Sequence, residues 1–135
     1  MDRNTSQVSV KKEQEGDHQT VAGDSFIQIR GLSKGFNSSG MPLEILKGID
    51  FDISHGETLA VVGASGIGKS TLLHILGTLD RPDSGKVLYK GEDVFSFSSA
   101  DLARFRNQSI GFMFQFHHLL PEFSALENVM MPMLY

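Results

Sequence analysis

Residues 63–71 read Gly63-Ala-Ser-Gly-Ile-Gly-Lys-Ser-Thr71, and Gly63, Gly68, Lys69 and Ser70 fall on the phosphate-loop pattern G-x-x-x-x-G-K-[ST]. The flanks agree with the spelling. An apolar run at 58–62 precedes the loop and predicts a buried strand, and an apolar-periodic run at 71–76 follows it and predicts a helix. A strand, a glycine-rich loop and a helix N-terminus together aim backbone N–H groups at phosphate oxygens. The motif therefore predicts an α/β fold, a P-loop NTPase core that takes a nucleoside triphosphate.

Each residue type in the loop has a chemical reason. Gly66 and Gly68 lack a Cβ, so the backbone can curl and approach phosphate closely. The Lys69 ammonium would reach the terminal phosphates, and the Ser70 hydroxyl would complete the shell of an octahedral Mg2+ that keeps several waters. The expected nucleotide-contacting set is Gly63, Ala64, Ser65, Gly66, Ile67, Gly68, Lys69, Ser70 and Thr71. Ile67 is bulky for its place and fits only with negative φ and a side chain turned from the ligand.

Outward from the loop, the chain divides at residue 25. Residues 1–24 are polar and carry no aromatic residue, which predicts a disordered extension. Beyond it, 26–29 reads as a strand and 35–42 as a turn-rich loop. Residues 45–54 alternate, with Ile49, Phe51 and Ile53 opposite Asp50, Asp52 and Ser54, as in an antiparallel strand wet on one face. His55 and Gly56 turn into the strand before the phosphate loop. The helix after the loop should stop near 77–79, with turns at 80–85 and 90–93 around a short strand at 86–89. Ser98 with Asp101, and Ser124 with Glu127, read as capping boxes opening two further helices. Residues 110–114 read as an apolar strand and 115–123 as a loop broken by Pro121.

Composition narrows the classes. The 135 residues carry a net charge of −4, which gives no sign of general nucleic-acid affinity, and there is no cysteine for a disulfide or thiolate metal site. No apolar stretch is long enough to span a bilayer and the N-terminus lacks a secretory pattern, so a cytoplasmic location is expected. The adjacent histidines His117 and His118 would point to opposite sides of an extended segment and predict no metal site, and His74 reads as packing.

The wider pattern resembles an ABC transporter ATPase. Residues 26–135 look like its N-terminal half: an antiparallel β subdomain, the phosphate loop, a turn at Asp80-Arg-Pro-Asp-Ser-Gly85, and Ile110-Gly-Phe-Met-Phe-Gln115 entering a glutamine loop. The resemblance implies a truncated ABC-ATPase domain, with 25–135 as an incomplete nucleotide-binding domain. It implies that Phe36 stacks on adenine, with core packing the competing reading, and that Gln115 approaches Mg2+ and the attacking water, with a surface glutamine the competing reading. Lys69 and Gln115 would be the catalytic residues, and Ser70 and Gln115 the metal contacts.

Residues 70–77 and 111–129 narrow the likeness to the LolD-type, lipoprotein-releasing branch of the family, whose close relatives include MacB-like peptide and drug exporters. That branch implies an ATPase homodimer on the cytoplasmic face of the bacterial inner membrane. It also implies integral membrane permease subunits docked in a groove near Phe116, Leu119, Leu120, Pro121 and Phe123, although Phe123 and Leu126 read better as core. The LSGGQ signature, the acidic strand with its catalytic carboxylate (Walker B) and the switch histidine are missing from the sequence. ATP binding without turnover, and marginal stability, are therefore expected of this chain alone. A non-ABC P-loop GTPase or kinase and a pure binding module are the rival readings.

Overall fold

The structure is a computed structural model that describes residues 8–12, 25–38, 41–116 and 119–133. Strands β1 (Ser9–Lys12), β2 (Ser25–Ser38), β3 (Met41–Ser54) and β4 (Leu59–Val62) lead to helix α1 (Lys69–Leu76). Strands β5 (Ser84–Tyr89) and β6 (Glu92–Asp93), a 3-10 turn at Val94–Ser96, and helices α2 (Ser99–Ser109) and α3 (Ala125–Met130) follow. Among the described residues all pairing is antiparallel: one sheet runs β3-β2-β5-β6, and β1 pairs with β4 in a second.

The core sits between the four-stranded sheet and α1. Ile29, Leu32, Leu46 and Val87 from the sheet meet Leu72, Ile75 and Leu76 from α1, with Val94 and Leu102 closing one side. Positions 72, 75 and 76 share one face of a 3.6-residue period, so α1 buries a single stripe. An eight-residue helix is marginal on its propensity alone. Burying these three aliphatic side chains contributes about 5–9 kcal/mol gross, so packing holds the helix in place. Its end is fixed from outside: the Tyr89 hydroxyl donates to the Leu76 carbonyl and Arg106 Nη1 donates to the Thr78 carbonyl at 2.6 Å. The Gly77 C-cap leaves room for the Phe112 ring, which a Cβ there would strike.

Several expectations are corrected. Residues 35–38 and 41–42 belong to β2 and β3 and not to a loop, because the two strands stay paired as far as Ser38 and Met41. Within the extension expected to be disordered, Ser9–Lys12 forms β1 along β4, with Val8 and Val10 packed against the core. Two valines at alternate positions were enough to fill an edge that β4 would otherwise leave unpaired. The rest of residues 1–24 lies outside the described residues. β4 itself is half-exposed and not buried, because the sheet it joins has two strands.

Residues 110–114 form no strand, and 111–114 are exposed: Phe112 lies against Gly77 and stacks on Phe114, and the run joins no strand ladder among the described residues. Phe123 and Leu126, read as core, are 43% and 68% exposed, and His74 points out of α1 into solvent. Both helix caps are present. Ser98 Oγ accepts from the Asp101 amide at 3.2 Å. Ser124 and Glu127 form a complete capping box at α3. His117 and His118 lie outside the described residues.

Candidate functional site

The phosphate loop leaves β4 at Val62 and enters α1 at Lys69. Three of its residues, Gly63, Gly66 and Gly68, have φ of 151°, 78° and 108°. Gly68 is the critical one. It is the α1 N-cap in a left-handed conformation, and a Cβ there would collide with Ile45 Cγ2 and lie 3.0 Å from Leu46 Cδ2. Glycine at 68 thus serves the turn and the close approach of β3 at once.

Having no side chain, Gly68 cannot cap α1. The first helical N–H groups have no side-chain acceptor, and the first turn holds no acidic residue to neutralise the positive end of the helix. Lys69 Nζ reaches back across the curl, donating to the Gly63 carbonyl at 2.9 Å and the Ala64 carbonyl at 2.6 Å. Ile67 keeps φ out of the positive range and turns its side chain onto Gly63, where a Cβ would stand 2.9 Å from Ile67 Cγ2.

A cavity of about 330 Å³ opens over this loop, lined by Phe36, Ile45, Ser65, Gly66, Gly68, Lys69, Ser70 and Thr71. The structure therefore brings Phe36, nearly half exposed, to the same cavity as the loop and the helix start. Gly63, Ala64 and Ile67 lie outside the lining; the first two hold Lys69 through their carbonyls and the third packs on Gly63. Gln115 is exposed and also outside the lining.

Ile45 is a wall residue that sequence reasoning missed. Gly35 pairs with Glu44 and Lys34 with Leu46, which leaves Ile45 as the extra residue of a β-bulge. A bulge re-aims the side chain it carries, and simple alternation gives no sign of it.

The donor set suits a nucleoside triphosphate. Around one cavity stand the start of α1, with no side-chain cap, an ammonium and a hydroxyl, together with an aromatic and an aliphatic side chain. Among the described residues no three His, Cys, Asp or Glu side chains gather to hold a metal ion. A Mg2+ here would be held by the Ser70 hydroxyl together with the phosphates it accompanies.

The family model described as ABC transporter matches residues 46–133. The chain belongs to the ABC transporter family. Its ABC transporter relatives include the lipoprotein-releasing system ATP-binding protein LolD of Geobacter metallireducens, 63% identical over 110 residues that cover 82% of this chain and 49% of the relative. LolD of Shewanella oneidensis is 55% identical over 109 residues, covering 81% of this chain and 47% of the relative. The chain spans about half the length of the curated relatives it matches.

Among solved structures it is similar to the dimeric bacterial ABC transporter cassette MJ0796. The TM-score is 0.72 at 34% identity, covering 80% of this chain and 47% of that one. The post-hydrolysis state of the same cassette bound to ADP and Pi has a TM-score of 0.72 at 33% identity, with the same coverage. The α/β architecture expected of a truncated ABC-ATPase domain is thus the one found. Among the described residues no helix is long and apolar enough to cross a membrane.

Proposed function

We propose that this chain supplies the Mg-ATP-binding surface of an ABC transporter ATPase subunit that drives release of lipoproteins from the bacterial inner membrane. The observation that carries the ATP-binding part is the uncapped start of α1, with Lys69 folded across the phosphate loop and Phe36 lining the same cavity. The lipoprotein part rests on likeness to proteins named LolD. Residues 25–135 would be the N-terminal part of the nucleotide-binding domain. The intact protein would work as a homodimer on the cytoplasmic face, with its permease against the apolar side chains near Phe116–Phe123, all of which are exposed where described.

The roles proposed for these residues draw on the geometry and on the family likeness. Lys69 exchanges two backbone carbonyls for phosphate oxygens, so its ammonium enters the site already aimed and partly desolvated. The α1 amides take phosphate oxygen at the positive helix end. Phe36 and Ile45 present a flat apolar wall to the base. Ser70 would hold Mg2+, and Gln115, whose neutral amide can ligate or orient without holding a proton at pH 7, would serve the metal and the attacking water. Bound Mg-ATP supplies the phosphoanhydride whose cleavage powers transport.

Because the chain spans half of its relatives and holds no LSGGQ run, binding without appreciable turnover is the activity proposed for it alone. Calorimetry tests both parts. The chain should bind Mg-ATP, and Lys69→Ala should weaken binding about a hundredfold or more, with the circular dichroism spectrum unchanged. Equal affinity in wild type and variant would remove the assignment. Appreciable ATPase activity in the isolated chain would remove the claim that it only binds.

A further inference from the structure

Lys34 stands two residues before Phe36 on β2, on the same face of the strand. Its side chain is only 12% exposed, although it is a lysine. Nζ donates to Asp80 Oδ1 at 2.9 Å and to the Arg81 carbonyl at 2.6 Å, and lies 3.8 Å from Asp83 Oδ1. Asp83 tightens the same join: its Oδ2 accepts from the Gly35 amide at 2.7 Å, and its own amide donates to the Ser33 carbonyl at 2.9 Å. The turn after α1 is therefore fastened to three consecutive residues of β2. The fastening holds the Lys34 ammonium 5.5 Å from the centroid of the Phe36 ring. Lys34 is not among the residues lining the cavity, whereas Phe36 is.

We propose that Lys34 is a positioning residue for the nucleotide base, acting through the Phe36 ring. The inference rests on the ATP-binding reading above and deepens it. A cation bound to the π-system does two things. It restricts the ring to one orientation before a base arrives, and it draws electron density from the ring, which favours stacking against an electron-rich purine. The anchor for that cation is the turn at 80–83, so the exit from α1 and the base wall are parts of one device. A nearly buried lysine whose donors are spent on a turn and whose charge sits beside an aromatic wall is otherwise a costly choice for an edge hairpin.

The experiment measures binding of two probes to the full 135-residue chain, Mg-ATP and Mg-tripolyphosphate, which has the phosphates without the base. Lys34→Met keeps the length and removes the charge. It should weaken Mg-ATP about three- to tenfold and leave Mg-tripolyphosphate within about twofold. Lys34→Arg should restore most of the loss. In a Phe36→Ala background Lys34→Met should change nothing further, because its target is gone. Should Lys34→Met fail to fold, Asp80→Asn loosens the same anchor from outside the cavity and should show the same selective loss.

Equal weakening of both probes overturns the inference, since Lys34 would then act on the phosphates directly or on the fold. A persistent effect in the Phe36→Ala background overturns it as well. Failure of the wild-type chain to bind either probe is a different pattern, and it sinks the ATP-binding reading and this inference together.

Discussion

Replacing Gly68 by alanine tests the site where its geometry is tightest. Two costs are visible in the structure. The first is conformational: at φ 108° an alanine would sit at the strained edge of the left-handed region, which costs about 1–3 kcal/mol. The second is steric, because the added methyl meets Ile45 Cγ2 inside van der Waals contact and stands 3.0 Å from Leu46 Cδ2. Leu46 is fully buried, so the hairpin cannot simply swing away, and overpacking of this kind costs a further ~1–3 kcal/mol. The total of about 2–6 kcal/mol must appear somewhere. If the loop keeps its shape, stability falls by that amount. If the loop relaxes, the free protein escapes the strain, but nucleotide binding must restore it, and affinity falls instead. The quantity to measure is therefore the sum of the two losses, from urea unfolding and from Mg-ATP calorimetry on the same preparation. A sum of at least about 2 kcal/mol is expected, which is a thirtyfold loss of affinity if all of it lies in binding. Losses of less than about 0.5 kcal/mol in each assay would show that neither the loop conformation nor the contact with β3 is what the structure describes.

Three further outcomes are expected. Burial pushes the Tyr89 hydroxyl up to about 12. Its proton is therefore held more tightly in the folded state, and stability that is complete below pH 10 should fall by roughly 2–3 kcal/mol as pH climbs toward 12. Urea midpoints across that range should show the loss, and Tyr89→Phe should lack this share of it. The Glu127 carboxyl is held below the usual glutamate range by hydrogen bonds from the Ser124 hydroxyl and amide. An NMR titration should find it low in the wild type and near normal in Ser124→Ala. Its support for α3 is present above the ordinary glutamate range and is lost as pH falls through the depressed folded value; an unshifted carboxyl in the wild type would refute the capping box. Val10 pairs with Val61 and packs on the core, so Val10→Asp should cost about 1–3 kcal/mol and speed hydrogen exchange across β4. Unchanged exchange at 59–62 would mean that β1 does not guard that edge.

What the sequence disclosed and what it concealed divide along a physical line. The phosphate loop was legible because its chemistry is local: nine consecutive residues carry the turn, the cation and the helix start. The caps at Ser98 and Ser124 were legible for the same reason, since each is decided within four residues. The hidden features depend on what lies across a strand. Residues 35–42 hold turn-forming types, yet 35–38 and 41–42 sit in two strands whose length is set by pairing. Residues 110–114 have the apolar content of a strand, but among the described residues they pair with no strand. Val8 and Val10 read as incidental in a polar segment until β4 offers an edge to Ser9–Lys12. Ile45 reaches the cavity through a one-residue slip between two strands, and no sum over its own neighbours in sequence foretells a slip.

That slip also explains why the cavity has one geometry. In the proposed site the base wall belongs to the β2–β3 hairpin, and the phosphate cradle belongs to the β4–α1 turn. The two meet where Ile45 and Leu46 press against the bare Cα of Gly68. Leu46 continues into the core, where Leu72 and Ile75 of α1 also lie, so the helix that presents the amides and the strand that presents the wall share one buried cluster. Ile45 faces outward from the same contact into the cavity. The spacing between base wall and phosphate cradle is thus set by core packing. A close-packed interior resists small displacements, so it holds that distance more firmly than a surface loop could. A substitution at 45, 46 or 68 acts on both halves of the site, whereas a change at Ser65 or Ser70 acts on one. The residue with no side chain fixes the distance because nothing of its own stands between the two surfaces it joins.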